Sequence, residues 1–133
     1  MAPLPALPIR PYLPSNVKCL VADDARLNRM LIEHALTKRC GEGWTVDNTD
    51  SGEETLEAVR RQAYDLIIID EIFSSDVTKM RGSTVVRLIR ELEISEGRTR
   101  CVVVSCSGNA ALFRSDIIAC GADEVCMCMC MCM

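Results

Sequence analysis

The stretch Asp65-Leu66-Ile67-Ile68-Ile69-Asp70 decides the fold. Its aliphatic run has no polar alternation, which reads as a strand buried on both faces, and an acid stands where the run stops. Val17–Ala22 repeats the pattern and runs into Asp23-Asp24, while Cys101–Val104 stops at Ser105. In an open parallel sheet the carboxyl ends of such strands line one crevice, where ligands bind. Three carboxylates and a hydroxyl are therefore expected at one sheet edge. Hard oxygen ligands gathered there suit a divalent cation beside a phosphoryl group.

Outward from these runs, strand and helix signals alternate. Leu27, Met30, Leu31, Ala35 and Leu36 recur at helical spacing and predict a helix from about Ala25 to Arg39, closed by Gly41 and Gly43. Trp44–Asn48 reads as a short strand. Ser51-Gly52-Glu53-Glu54 has the Ser-x-x-Glu pattern of a capping box and opens a second helix to about Gln62. A loop of about a dozen residues follows Asp70, longer than most strand-to-helix connections. From Ser83, the residues Val85, Val86, Leu88, Ile89 and Leu92 make a third helix. A fourth runs from about Ala110 to Ala119, with Gly121 placed as its left-handed cap, and Val125 begins a fifth strand. Strands separated by single helices predict βαβ units. The expected fold class is α/β, a doubly wound parallel five-stranded sheet with its last helix missing.

At 133 residues the chain is sized for one domain burying roughly two-thirds of its unfolded surface. A net charge of -4, with no Lys/Arg cluster on one face, argues against a nucleic-acid surface. No apolar stretch approaches the roughly 20 residues of a membrane span. All five prolines fall within Met1–Ser15, so residues 1–16 are expected to be an extended, flexible arm. That arm lacks the basic and continuous apolar regions of a secretory signal. Nine cysteines, an odd total without such a signal, fit a reducing cytoplasm better than a disulfide framework.

With that order in place, residues 17–125 resemble a response-regulator receiver domain. The likeness is carried by Val21-Ala22-Asp23-Asp24 with Asn28-Arg29, by Ser51-Gly52-Glu53-Glu54 and by Asp65–Asp70. Val102–Ser105 and Ala119-Cys120-Gly121-Ala122-Asp123 complete it. The loop ending in Met80-Arg81-Gly82-Ser83, the phrase Leu88-Ile89-Arg90 and Gly43-Trp44-Thr45-Val46 resemble receivers attached to algal-type hybrid histidine kinases. The resemblance implies a flavodoxin-like receiver fold in a His-to-Asp phosphorelay. It makes Asp70 the phosphoacceptor, with Mg²⁺ held by Asp23, Asp24, Asp70 and the backbone carbonyl of Ile72. Ser105 would hydrogen-bond the incoming phosphoryl group. The implied partner is a histidine kinase or a histidine phosphotransfer protein. The resemblance implies a module that is not an enzyme in the ordinary sense and that promotes its own phosphorylation and dephosphorylation. Taken singly, Asp24 reads as a helix N-cap, Asp70 as a turn residue and Ser105 as a strand-end serine bonding locally. Their shared place at three strand ends favours the site.

The pattern fails near the end. The family's fifth strand ends in a Lys, usually followed by Pro, and those positions fall on Cys128 and Met129. A charge-assisted contact of roughly 1.5–3 kcal/mol is thereby lost. The aromatic often found in strand five is Val125. From Cys126 to Met133 the chain repeats Cys-Met, which reads foremost as a translated microsatellite or a truncated, frame-shifted gene. Period-two alternation also suits a continuing strand. A Cu(I)-binding tail has the right soft ligands but no turn to fold round an ion. A missing last helix leaving about 500 Å² of apolar area open forgoes on the order of 12 kcal/mol at most. That rivals the net stability of a small domain, so self-association through the uncovered face is expected. Leu4, Leu7, Ile9, Tyr12 and Leu13 of the arm offer a cover for it.

Two alternatives compete. A pseudo-receiver would keep the fold as a protein-interaction module without phosphotransfer, in line with the absent Lys. A Mg²⁺-dependent phosphatase with an Asp nucleophile usually places a second acid two residues on, and that position is Ile72. His34, beside the expected stripe of the first helix, reads as a partly buried helix residue. A nucleophilic Cys106 with His34 as its base has no support in spacing.

Overall fold

Each aliphatic run forms a strand, and each helical period forms the helix that returns the chain to the next strand. A computed structural model of the chain describes residues 14–73, 79–108 and 110–126, with side chains from 114 onward in the last segment. The strands are β1 (Lys18–Ala22), β2 (Thr45–Thr49), β3 (Leu66–Asp70), β4 (Val102–Cys106) and β5 (Glu124–Cys126). Between them lie α1 (Arg26–Arg39), α2 (Gly52–Arg61), α3 (Gly82–Glu96) and α4 (Ala110–Ala119). All neighbouring strands pair in parallel, in the order β2-β1-β3-β4-β5. The doubly wound five-stranded sheet is as expected, and four helices among the described residues fit a missing last helix.

Side chains alternate across the sheet, so each strand feeds two cores. Leu20, Ala22, Ile67, Ile69, Val103 and Val125 pack with Leu56 and Val59 of α2, Val85, Val86 and Ile89 of α3, and Ile117 of α4. On the opposite face Val17, Cys19, Val21, Ile68 and Cys106 pack with Ile32 and Leu36 of α1. Each such buried aliphatic contributes about 1.5–3 kcal/mol over its exposed state. At the start of β4, Val102 is 50% exposed.

The orientation of α1 differs from expectation. Leu36 of the expected stripe faces the sheet, but it does so with Ile32, whereas Leu27 and Met30 are 66% and 53% exposed. At 3.6 residues per turn both lie roughly opposite Ile32. His34 lies on the same outward side and is exposed rather than partly buried. The capping box of α2 is half formed: Ser51 Oγ accepts from Glu54 N, but Glu54 Oε2 accepts from Asp50 N instead of Ser51 N.

A buried ion network ties the lower edge together. Arg90 donates to Glu93 Oε1 (2.9 Å), Cys101 O (2.8 Å), Gly121 O (2.9 Å) and Asp123 Oδ2 (2.8 Å). Gly121 is at φ 116°, the positive region expected of a cap, and a Cβ there would stand 2.7 Å from Arg90 Cγ. No helix among the described residues is long and apolar enough to cross a membrane. Of the expected arm only residues 14–16 are described, and of the Cys-Met tail only Cys126; Cys128 and Met129 lie outside the described residues.

Candidate functional site

β1 and β3 are hydrogen-bonded neighbours, Ala22 opposite Ile69, so the chain segments that follow them leave the sheet side by side. Carboxylate oxygens of Asp23, Asp24 and Asp70 consequently lie within 4.8 Å of one another. An octahedral cation with oxygen ligands at about 2.0–2.1 Å needs ligand oxygens about 3–4 Å apart. A spread of no more than 4.8 Å is compatible with that spacing, and the donor chemistry of the three acids fits Mg²⁺.

Each acid has a different environment. Asp23 is buried, with Oδ1 accepting from Ala25 N at 2.8 Å and Oδ2 from Asn28 Nδ2 at 3.3 Å. Arg29 Nη1 donates to its backbone carbonyl at 2.7 Å, which gives the Asn28-Arg29 pair of the motif a physical task. Ala25 stands at the N-cap of α1 without a side-chain cap bond, so Asp24 is not that helix's cap. Its carboxylate is exposed beside the other two.

Burial pushes the Asp70 carboxyl up to about 7, and the charges of Asp23 and Asp24 push the same way. Backbone N–H groups of Ile72 and Glu71 oppose this by donating to it. Asp23 is raised as well, chiefly by burial. Crowded carboxylates in a partly dry crevice hold protons until a cation relieves the repulsion. Ile72 thus places its peptide N–H against Asp70, and its side chain is 41% exposed.

Ser105 pairs with Ile69 across β3 and β4, one position before the Asp70↔Cys106 pair. The residue is 1% exposed, and its Oγ has no hydrogen-bond partner among the described residues. A buried hydroxyl left unmatched costs about 1–3 kcal/mol, so such a group calls for an explanation beyond packing. An acceptor or donor oxygen entering beside Asp70 supplies one.

Two residues of the site were not legible in the sequence. Glu71, 2% exposed, accepts from Ser83 N (3.1 Å) and Ser83 Oγ (2.8 Å) through Oε1, and its carbonyl accepts from Gly82 N. It therefore holds the start of α3, whose N-cap residue Arg81 makes no side-chain cap bond. The available signal was that uncapped helix start. Gly82 is the second: a Cβ there would meet the carbonyl oxygen of Asp70 at 2.1 Å. Only glycine lets α3 begin against the peptide of the phosphoacceptor candidate.

The family model for the response regulator receiver domain matches residues 19–127. The two-component response regulator ORR41 of Oryza sativa subsp. japonica is 33% identical over 110 residues, covering 81% of this chain and 80% of that protein. The sensor protein EvgS of Escherichia coli is 30% identical over 112 residues, covering 77% of this chain but only 9% of the longer protein. Among solved structures, the co-crystal of the Saccharomyces cerevisiae histidine phosphotransfer signaling protein Ypd1 with the receiver domain of its downstream response regulator Ssk1 matches in fold. There the TM-score is 0.72 at 15% identity, covering 85% of this chain and 79% of that one. Strand order, the acidic cluster at the strand ends and these likenesses agree, and the chain belongs to the response regulator receiver domain family.

Proposed function

We propose that this chain is the phosphoacceptor module of a cytoplasmic His-to-Asp phosphorelay, with Asp70 as the acceptor. The observation that carries the reading is the convergence of Asp23, Asp24 and Asp70 within 4.8 Å beside the unmatched Ser105 hydroxyl. The donor is a phosphohistidine of a histidine kinase or phosphotransfer protein, in keeping with the Ypd1 and Ssk1 pair. One Asp70 oxygen attacks phosphorus in line, the N–P bond breaks, and the departing imidazole takes up a proton. Asp23, Asp24, Asp70 and the carbonyl of Ile72 would hold Mg²⁺. When bound, Mg²⁺ lowers the proton affinity of Asp70 and neutralises charge on the transferred group.

The remaining work falls to the chain itself. N–H groups of Ile72 and Glu71 orient the acceptor carboxylate, and Ser105 Oγ donates to a phosphoryl oxygen. Phosphorylation adds about 1.5–2 negative charges at the end of β3, and drawing Ser105 toward them shifts the surface formed by β4 and α4.

Incubation with Mg²⁺ and acetyl phosphate tests this by intact mass. One added phosphoryl group, absent from Asp70→Asn and abolished by a chelator, is the expected result. The absence of a Lys where the family carries one, at Cys128, favours a second reading as a pseudo-receiver. No mass gain in folded protein, under conditions that label a control receiver, would select that reading.

A further inference from the structure

Beyond the acidic pocket, β4 and β5 bring together two thiols that the relay chemistry does not use. Cys106 and Cys126 are register partners in the parallel pair β4·β5. Their Sγ atoms lie 3.0 Å apart. Neighbouring parallel strands run about 4.8 Å apart, inside the 4.4–6.8 Å range of Cα separations that disulfides span. The sulfurs need to approach by only about 1 Å to reach a bond of about 2.05 Å. Cys106 is 6% exposed, whereas Cys126 is only partly buried on the same sheet face. An oxidant thus has a route to one thiol of the pair.

We propose that Cys106 and Cys126 form a reversible intramolecular disulfide, a redox-modification site set directly beside the acidic pocket. The oxidant is a small disulfide of the glutathione class. The Cys126 thiolate attacks one of its sulfurs, breaking that S–S bond and releasing one thiol. The Cys106 thiolate then attacks the Cys126 sulfur of the mixed disulfide and releases the second. Two protein thiols are oxidised, one small disulfide is reduced to two thiols, and the two protons pass to the leaving thiolates.

Placement gives the bond a consequence. Cys106 follows Ser105, and its carbonyl accepts from Glu71 N, next to Asp70. Ser107 N donates to the carbonyl of Cys126. A covalent tie here fixes the end of β4 to β5 one residue past the switch hydroxyl.

The test treats the full chain with glutathione disulfide in its native state, blocks remaining thiols by alkylation, and maps linked peptides by mass spectrometry. The expected product links Cys106 to Cys126, reverts with dithiothreitol, disappears in Cys126→Ser, and unfolds at a higher urea concentration than the reduced protein. A circular dichroism spectrum unchanged in the reduced Cys126→Ser variant shows that it folds. Recovery of alkylated Cys106 after oxidation, or of Cys126 bonded to another cysteine, overturns the proposal. This readout needs no phosphoryl transfer, so it stands or falls separately from the relay.

Discussion

Replacing Asp70 by Asn should stabilise the metal-free fold, and the gain should grow with pH. Folding raises the Asp70 carboxyl from 3.8 to about 7, first by burial and then by the charge of Asp23. The folded state therefore binds this proton more tightly than the unfolded chain, so stability falls as pH rises between those two values. At 1.36 kcal/mol per pKa unit, the difference in Asp70 proton affinity lowers stability, relative to the fully protonated chain, by about 4 kcal/mol at pH 8 but only by about 0.6 kcal/mol at pH 4. Asn cannot ionise and keeps the shape, so it escapes the cost. Urea unfolding of both proteins in a chelator, at pH 4, 6 and 8, measures the difference. Relief of repulsion on Asp23 adds to the gain at high pH, since the two acids are coupled. Excess Mg²⁺ should narrow the gap by stabilising the native chain, about 2.7 kcal/mol at a hundredfold excess over Kd. A gain that is equal at pH 4 and pH 8, or no gain, would refute the argument that these acids crowd one another.

Three further outcomes follow from the geometry. Ser105→Ala removes a buried hydroxyl with no partner among the described residues, so urea stability should hold or rise by up to about 1–2 kcal/mol while phosphoryl labelling slows. Gly82→Ala drives a methyl into the carbonyl of Asp70 and should cost about 1–3 kcal/mol in thermal unfolding, with labelling impaired by displacement of the acceptor. Arg90→Ala leaves the buried Glu93 carboxylate without its cation, while Asp123 keeps Arg100, and should cost about 3–5 kcal/mol; Arg90→Lys should recover little, because four acceptors are met by one planar fork.

What the sequence revealed and what it hid divide by contact range. The strands were legible because Leu66–Ile69 and Val17–Ala22 carry their burial in consecutive residues. Convergence of Asp23, Asp24 and Asp70 followed from strand ends alone, since parallel neighbours present their carboxyl ends together. The face of α1 was not legible. Leu27, Met30, Leu31, Ala35 and Leu36 make a stripe, but of these Leu36 is buried beside Ile32 while Leu27 and Met30 face outward, and helical spacing cannot choose between overlapping stripes. Glu71 and Arg90 were hidden for another reason. Their partners, Ser83 in one case and Cys101, Gly121 and Asp123 in the other, are adjacent only after folding. Gly82 looked like an ordinary helix start until the carbonyl of Asp70 appeared against it.

Borohydride trapping reads the central claim at the level of one residue, because it reduces an acyl phosphate on aspartate to homoserine. After acetyl phosphate and Mg²⁺ treatment, peptide sequencing should find homoserine at position 70 alone, and none when the cation is withheld. Homoserine at position 23 or 24, or cation-independent labelling at 70, would contradict an acceptor served by a three-carboxylate metal pocket.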